Sequence, residues 1–287
     1  MITMKLGELF EQAVKRLSKA EVETPKLDAE ILFMDALSLT KSDFALQKDR
    51  DLSDEDVAKL EKFINMRAER MPVSRIIGKR GFWKYTFALN ENTLDPRADS
   101  ETLIEAVVKD YDEAAKVRIL DMGTGSGCLL LSLLGDLVNA KGVGIDTSVG
   151  AISMAKENAK ANGFGNRADF VPVDWRDGEV LGNLGKFDVV VANPPYIPLA
   201  DIKDLQPEVK DYDPMLALDG GEDGLFAYRQ IAMVLPLVLD AGGAFYAEVG
   251  EGQKEDVREI FTKSGLVPAG EYKDLGGIVR VLKFFNS

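Results

Sequence analysis

The sequence predicts an α/β fold: a seven-stranded, mainly parallel sheet with helices on both faces, preceded by a small N-terminal helical bundle and a linking β-hairpin. Three observations predict it. After Pro96, apolar strand-like runs alternate with helical segments, the signature of a βαβ sheet. The run Phe187-Asp188-Val189-Val190-Val191-Ala192 has the continuous apolar character of a strand buried on both faces. Before residue 75 the period is helical, with Leu6, Leu9, Phe10, Ala13, Val14 and Leu17 on one stripe.

The helical region continues with Leu27, Ile31 and Met34 as a second stripe. Ser53 is a predicted N-cap with Asp56 three residues on, opening a helix that carries Val57, Leu60 and Ile64. Met71-Pro72 closes the run. Between Ile76 and Leu94, Gly78, Gly81 and the aromatics Phe82, Trp83, Tyr85 and Phe87 predict a short hairpin. The domain expectation is therefore a helical domain at 1–75, a hairpin linker at 76–95 and a sheet domain at 96–287. Its predicted strands are Arg118–Asp121, Gly142–Asp146, Phe170–Val173, Asp188–Ala192, Gly243–Val249, Ala269–Lys273 and Val279–Phe284. Ser148 is the predicted cap of the helix after the second of them.

Composition narrows the chemistry. The 287 residues carry a net charge of −13 and contain no histidine. Most of the acidic surplus lies after residue 75, which argues against a protein that grips nucleic acid through its phosphates. Without histidine the usual general base and the commonest transition-metal ligand are missing. The single cysteine, Cys128, excludes an internal disulfide and a multi-cysteine zinc site. No apolar run is long enough to span a bilayer as a helix. The start, Met1-Ile2-Thr3-Met4-Lys5-Leu6-Gly7-Glu8, lacks a secretory signal's apolar middle, so the expected location is cytoplasmic.

Four strand ends carry the candidate site. Ile119 to Gly127 reads as strand, glycine turn and helix, with Asp121 at the strand end and Gly123, Thr124, Gly125 and Gly127 in the turn. Glycines let a ligand approach the backbone closely. The spacing is not that of a dinucleotide site, because Cys128 stands where the third glycine belongs, and no Lys-Ser/Thr follows for a P-loop. Asp121 would repel a pyrophosphate but suits the cationic amino group of an amino-acid moiety. Asp146 ends the next strand, where an acid commonly holds ribose hydroxyls. Asp174-Trp175 follows the third strand: the carboxylate can accept from an adenine amino group, while core packing competes as the role of Trp175. Finally Asn193-Pro194-Pro195-Tyr196 ends the fourth. Two prolines cannot continue a ladder, so the strand stops in a rigid lip rich in acceptors and poor in donors, suited to an N–H₂ group. Glu222-Asp223 and Asp211/Asp213 read as acids of surface loops, and no metal is expected.

The glycine turn with its strand-end acid resembles the S-adenosylmethionine site of class I methyltransferases, and Asn193-Pro194-Pro195-Tyr196 resembles the signature of those that methylate amino nitrogens. Pro96-Arg97-Ala98-Asp99-Ser100-Glu101, Gly78 to Trp83, Asp213-Pro214 with Ala217-Leu218, Gly220-Gly221-x-Asp223-Gly224 and Glu248-x-Gly250-x-Gly252-Gln253 are similar to segments of the release factor glutamine methyltransferases. Gly81 and Asp95 depart from that family's usual residues, as does Asp213 for Glu. The resemblance implies a Rossmann-like class I methyltransferase with S-adenosylmethionine as cofactor. It implies transfer to the side-chain amide nitrogen of the glutamine in a Gly-Gly-Gln motif, with peptide chain release factors as protein partners. Asn193, Pro194, Pro195 and Tyr196 would then be catalytic, with Arg97 and Glu101 beside them as substrate contacts. The helical domain would recognise the substrate, and the protein is expected to be a monomer. An adenine or guanine amine, or a ribosomal-protein glutamine, is the alternative acceptor.

Overall fold

A computed structural model describes residues 4–287; the first residues on which the reading of the N-terminus rests, 1–3, lie outside them. The chain divides into two compact units, one of residues 1–78 with 206–212, the other of 79–205 with 213–287.

The first unit is built from α1 (Leu6–Lys19), α2 (Pro25–Leu37), α3 (Lys41–Leu46), α4 (Asp54–Ala68) and α5 (Val73–Ile77). Ser53 caps α4 in a capping box with Asp56, as their spacing predicts. The α1 stripe is buried except for the partly covered Val14, but α2 turns a different face inward from the predicted one. Ala29, Leu32, Phe33 and Ala36 enter the core, whereas Leu27 is exposed and Ile31 and Met34 are only partly covered. That helix is apolar around much of its girth, so spacing alone could not choose the face. Phe10, Phe33 and Phe44 meet edge to face with ring centroids 5.1–6.2 Å apart, a geometry that suits the ring quadrupoles.

The segment 206–212, which includes α10 (Pro207–Lys210), belongs to this helical unit although the chain reaches it from the sheet domain. Glu208 accepts from Arg70 Nε and Nη2 at 2.6 and 2.7 Å and from Arg67 Nη2 at 3.0 Å, and Arg67 Nε binds Asp28 at 2.7 Å. The expected boundary at 96–287 puts this segment in the sheet domain, because ion pairs across more than a hundred residues leave no local pattern.

The second unit opens on the hairpin β1 (Lys79–Phe82) and β2 (Tyr85–Ala88). The helix α5 extends to Ile77, so the hairpin starts later than the predicted 76. Then come α6 (Glu101–Asp110), β3 (Arg118–Met122), α7 (Cys128–Asp136), β4 (Lys141–Asp146), α8 (Val149–Ala161), β5 (Ala168–Pro172), α9 (Gly178–Asn183) and β6 (Phe187–Ala192). After the segment that joins the first unit come α11 (Phe226–Val238), β7 (Leu239–Glu248), α12 (Lys254–Lys263), β8 (Val267–Lys273) and β9 (Val279–Phe285). Ser148 caps α8 through Ala151 N–H.

The seven strands lie in the order β5-β4-β3-β6-β7-β9-β8, with β9 antiparallel to both of its neighbours and the remaining pairings parallel. Alternate residues feed two cores. Ile119, Val189, Val191 and Tyr246 pack with α6, α7 and α8, while Leu120, Met122, Val190, Ala192 and Phe245 pack with α11 and α12. Val189 to Ala192 are fully buried, which accounts for the unbroken apolar run. The strand order reverses between β3 and β6. A crevice forms at such a switch point, outside the carboxyl ends of the strands, and Asp121 and Asn193 lie at those two ends.

Candidate active site

The glycine turn is closed by its own backbone. Gly123 and Thr124 N–H both donate to Ile145 O, and Gly127 N–H donates to Thr124 O at 2.8 Å. Gly125 has φ +53 and open space where a side chain would stand, so a ligand can lie on its backbone. Gly123 has φ +81, and a Cβ there would stand 3.2 Å from the Trp175 ring; a Cβ on Gly127 would press on Ala155, Leu131 and Phe170. The three glycines thus leave open space, make room for a tryptophan and permit close helix packing in turn. Gly144 on β4 matters too, since a Cβ there would meet Phe170 and Thr124 Oγ1 at 2.7 Å. Nothing in a lone strand glycine points to that packing role.

Asp121 is fully buried. Its Oδ2 accepts from Thr124 Oγ1 at 2.6 Å, while Oδ1 has no protein partner. Burial pushes its carboxyl up to about 7, Thr124 pulls the other way, and the nearby Asp146 carboxylate adds to the rise. An unpaired buried oxygen beside an open backbone is what a ligand ammonium would complete. Asp146 Oδ2 accepts Gly125 N–H at 3.0 Å and Oδ1 accepts Ser148 N–H at 2.9 Å, which ties the turn to the next strand and leaves each oxygen a lone pair. Its carboxyl is raised by burial against those backbone donors. Asp174 is taken up by Arg176, whose guanidinium lowers its pKa; Trp175 packs against the second core.

The lip is held from several sides. Asn193 Nδ2 donates to Ser100 Oγ at 3.1 Å, so Oδ1 is the end of the carboxamide left as a free acceptor. Gln253 Nε2 donates to Tyr196 O at 2.9 Å, and its Oε1 accepts Gly250 N–H at 3.2 Å. Ile197 exchanges backbone bonds with the 218–220 strip, where Gly220 lies so close that a Cβ would meet Tyr196 Cα at 2.8 Å. Burial raises the Tyr196 phenol, and the nearby Glu248 carboxylate adds to it. The glycine-rich motifs at 220–224 and 250–253 are therefore the scaffold of the lip, a role their composition alone does not give.

Other site candidates have structural partners. The Glu101 carboxylate accepts Trp83 N–H at 2.7 Å, fixing the hairpin, and Arg97 pairs with Asp213. Asp213 is buried and also accepts Asp95 N–H, so it is not the solvated loop acid that its sequence context predicts. Asp223 pairs with Arg229 on the surface. Cys128 heads α7 with its thiol pushed up to about 12 by burial, so it is not an activated thiolate. Among the described residues no three His, Cys, Asp or Glu side chains come together as a metal site, and no helix is long and apolar enough to cross a membrane. Ser100, Glu248 and Gln253 stand around the lip without being legible as site residues in the sequence, although each lies inside one of the motifs described above.

The reversed strand order, the glycine turn and the open backbone beside an orphaned carboxylate oxygen together define a class I methyltransferase with S-adenosylmethionine as its cofactor. Two family models match, a PrmC N-terminal domain over residues 8–78 and a methyltransferase domain over 113–226. The release factor glutamine methyltransferase of Rhodospirillum rubrum is 46% identical over 96% of this chain and 84% of its own, and that of Caulobacter vibrioides is 40% identical over 98% and 96%. The chain belongs to the release factor glutamine methyltransferase family. Among solved structures, the hMettl16 catalytic domain in complex with the MAT2A 3′UTR hairpin has a TM-score of 0.56 over 82% of this chain and 83% of its own, at 13% identity, a likeness of fold alone.

Proposed function

We propose that this protein transfers a methyl group from S-adenosylmethionine to the side-chain amide nitrogen, N5, of the glutamine in the Gly-Gly-Gln motif of peptide chain release factors. The observation that carries the reading is the Asn193 carboxamide, tied back through Nδ2 and left with Oδ1 as an acceptor beside the glycine turn. The names of the full-length relatives supply the substrate class.

The bound cofactor supplies an electrophilic methyl carbon on a sulfonium. Asp121 and Asp146 would hold its amino group and ribose, and Gly125 would offer its backbone. An amide nitrogen is a poor nucleophile because its lone pair is delocalised. Asn193 Oδ1 and the Pro194 carbonyl accept its two hydrogens and favour a pyramidal nitrogen aimed at the methyl. Pro195 keeps the lip rigid and Tyr196 packs on the flat amide. As the C–N bond forms, the C–S bond to the sulfonium would break to leave S-adenosylhomocysteine, and the surplus proton on nitrogen would pass to solvent afterwards, so catalysis rests on alignment and polarisation and needs no strong base. The reaction belongs in the cytoplasm, where its substrate works. The helical unit is the surface for the body of the release factor, and Arg97 and Glu101 brace the entrance.

The test supplies the protein and S-adenosylmethionine with release factor, DNA or ribosomes separately, followed by mass spectrometry. One methyl on the release factor glutamine is the expected result; methylated adenine, or a methylated ribosomal protein alone, would overturn the substrate.

A further inference from the structure

Three asparagines sew the linking hairpin to α8. Asn162 Nδ2 donates to Thr86 O at 3.1 Å, and Asn90 Nδ2, just past β2, donates to Gly150 O at 3.0 Å. The third, Asn158, is 1% exposed and reaches further. Its Oδ1 accepts Ala88 N–H at 2.8 Å while Nδ2 donates to Ala88 O at 3.0 Å, so it pairs with the end of β2 as another strand would. Nδ2 also donates to Ser126 O at 2.9 Å, inside the glycine turn. The oxygen and both hydrogens of the carboxamide are thus engaged, and only one orientation of the side chain satisfies the site. The bond to Ser126 falls between the other anchors of the turn. Upstream, Ile145 O holds Gly123 and Thr124 N–H and Asp146 holds Gly125 N–H; downstream, Thr124 O holds Gly127 N–H. Ser126 is 2% exposed, so its carbonyl could not be left bare without cost.

We propose that Asn158 is a positioning residue of the cofactor site. By holding the Ser126 carbonyl it keeps the open backbone of Gly125 in the shape that S-adenosylmethionine binds. Through Ala88 it links that shape to the seating of the hairpin. The side chain is filled by protein groups, so it acts on the cofactor through the turn. The inference rests on the cofactor lying on the glycine turn and not on which nitrogen takes the methyl.

Asn158→Ala removes all three bonds and lets the turn sample shapes that do not bind. Apparent affinity falls with the competent fraction, so titration calorimetry with S-adenosylhomocysteine should show Kd raised about tenfold or more. Asn162→Ala loosens the same seam without touching the turn and should leave Kd within about twofold, although both variants melt lower. At saturating S-adenosylmethionine the kcat of Asn158→Ala should stay within about threefold of wild type, because bound cofactor orders the turn. The link to the hairpin is reciprocal, so cofactor binding must also steady Ala88. Hydrogen exchange followed by NMR reads this in the unaltered protein. S-adenosylhomocysteine should slow the Ala88 amide more than the amides of β9, three places from β3 in the sheet. Asn158→Asp keeps an acceptor for Ala88 N–H but cannot donate to Ser126 O, and should lose that selective slowing. An unchanged Kd in Asn158→Ala, or an equal rise in Asn162→Ala, would overturn the proposal. So would equal slowing of Ala88 and β9 in wild type. Binding of S-adenosylhomocysteine needs no methyl acceptor, so a release factor left unmodified would sink the proposed substrate alone.

Discussion

Gln253 reaches from the loop before α12 to donate to the carbonyl of Tyr196 at 2.9 Å, while its own oxygen takes Gly250 N–H. One side chain thereby locks the end of the lip to the turn after β7. Gln253→Ala removes both bonds and a longer one from Nε2 to Gly224 O at 3.4 Å, a cost of about 1–3 kcal/mol. For a unit of this size that is a fall in melting temperature of roughly 2–10 °C. Acceptor turnover should fall further than stability alone explains, with cofactor affinity retained; calorimetry and single-turnover methylation check this. Equal turnover would release Gln253 from the lip.

The glycines divide into two kinds, and substitution separates them. Gly125→Ala meets open space but sits at positive φ, so its intrinsic cost is about 1–2 kcal/mol and its main effect should be on S-adenosylmethionine affinity. Gly144→Ala would press on Phe170 and Thr124 at 2.7 Å, an overpacking penalty of about 1–3 kcal/mol that appears in the melting curve before the binding isotherm. Titration of cofactor against both variants, alongside thermal melts, should show the two profiles crossed.

This division also shows what the sequence makes legible. The strand ends at Asp121, Asp146 and Asn193 stand out because a sheet must bury apolar runs and stop them abruptly. The Ser53 and Ser148 caps stand out because capping is local. Glu208 with Arg67 and Arg70, Ser100 with Asn193, and Asp213 with Arg97 are pairings between distant segments, and no period or spacing announces them. The inward face of α2 was hidden for another reason, its excess of apolar residues over the area available to bury.

Glu208 makes a test of the helical unit. Its partner Arg67 is 5% exposed, so Glu208→Ala leaves a buried guanidinium with only Asp28 as carboxylate partner, and Arg70 loses both of its bonds to Glu208. Breaking such a network costs about 3–5 kcal/mol. The expected outcome is faster proteolysis within 206–212 and a lower unfolding transition for the helical unit. Cofactor affinity should be unchanged, because the glycine turn belongs to the other unit. Loss of both together would mean the two units unfold as one.

The last prediction concerns pH. Burial pushes Asp121 and Glu248 each up to about 7. Ser100, Tyr196 and Arg280 oppose the rise at Glu248 and Asp99 adds to it; Thr124 opposes it at Asp121 and Asp146 adds to it. The Glu248 charge in turn adds to the rise of the Tyr228 phenol and the Cys128 thiol, both of which burial raises first. Both carboxyls hold protons in the folded state that they release in the unfolded one at about pH 4 and above. The folded state therefore binds more protons between about pH 4 and 7, and stability from these groups falls as pH rises through that window. Asp110, Asp174, Glu208 and Asp274 have the opposite sign, their lowered pKa values adding stability that is lost in acid. The melting temperature should accordingly be higher near pH 6 than near pH 8. Glu248→Gln, which has no charge to bury, should narrow that gap by raising the pH 8 value; a gap left at its wild-type size would mean that Glu248 stays ionised throughout the range.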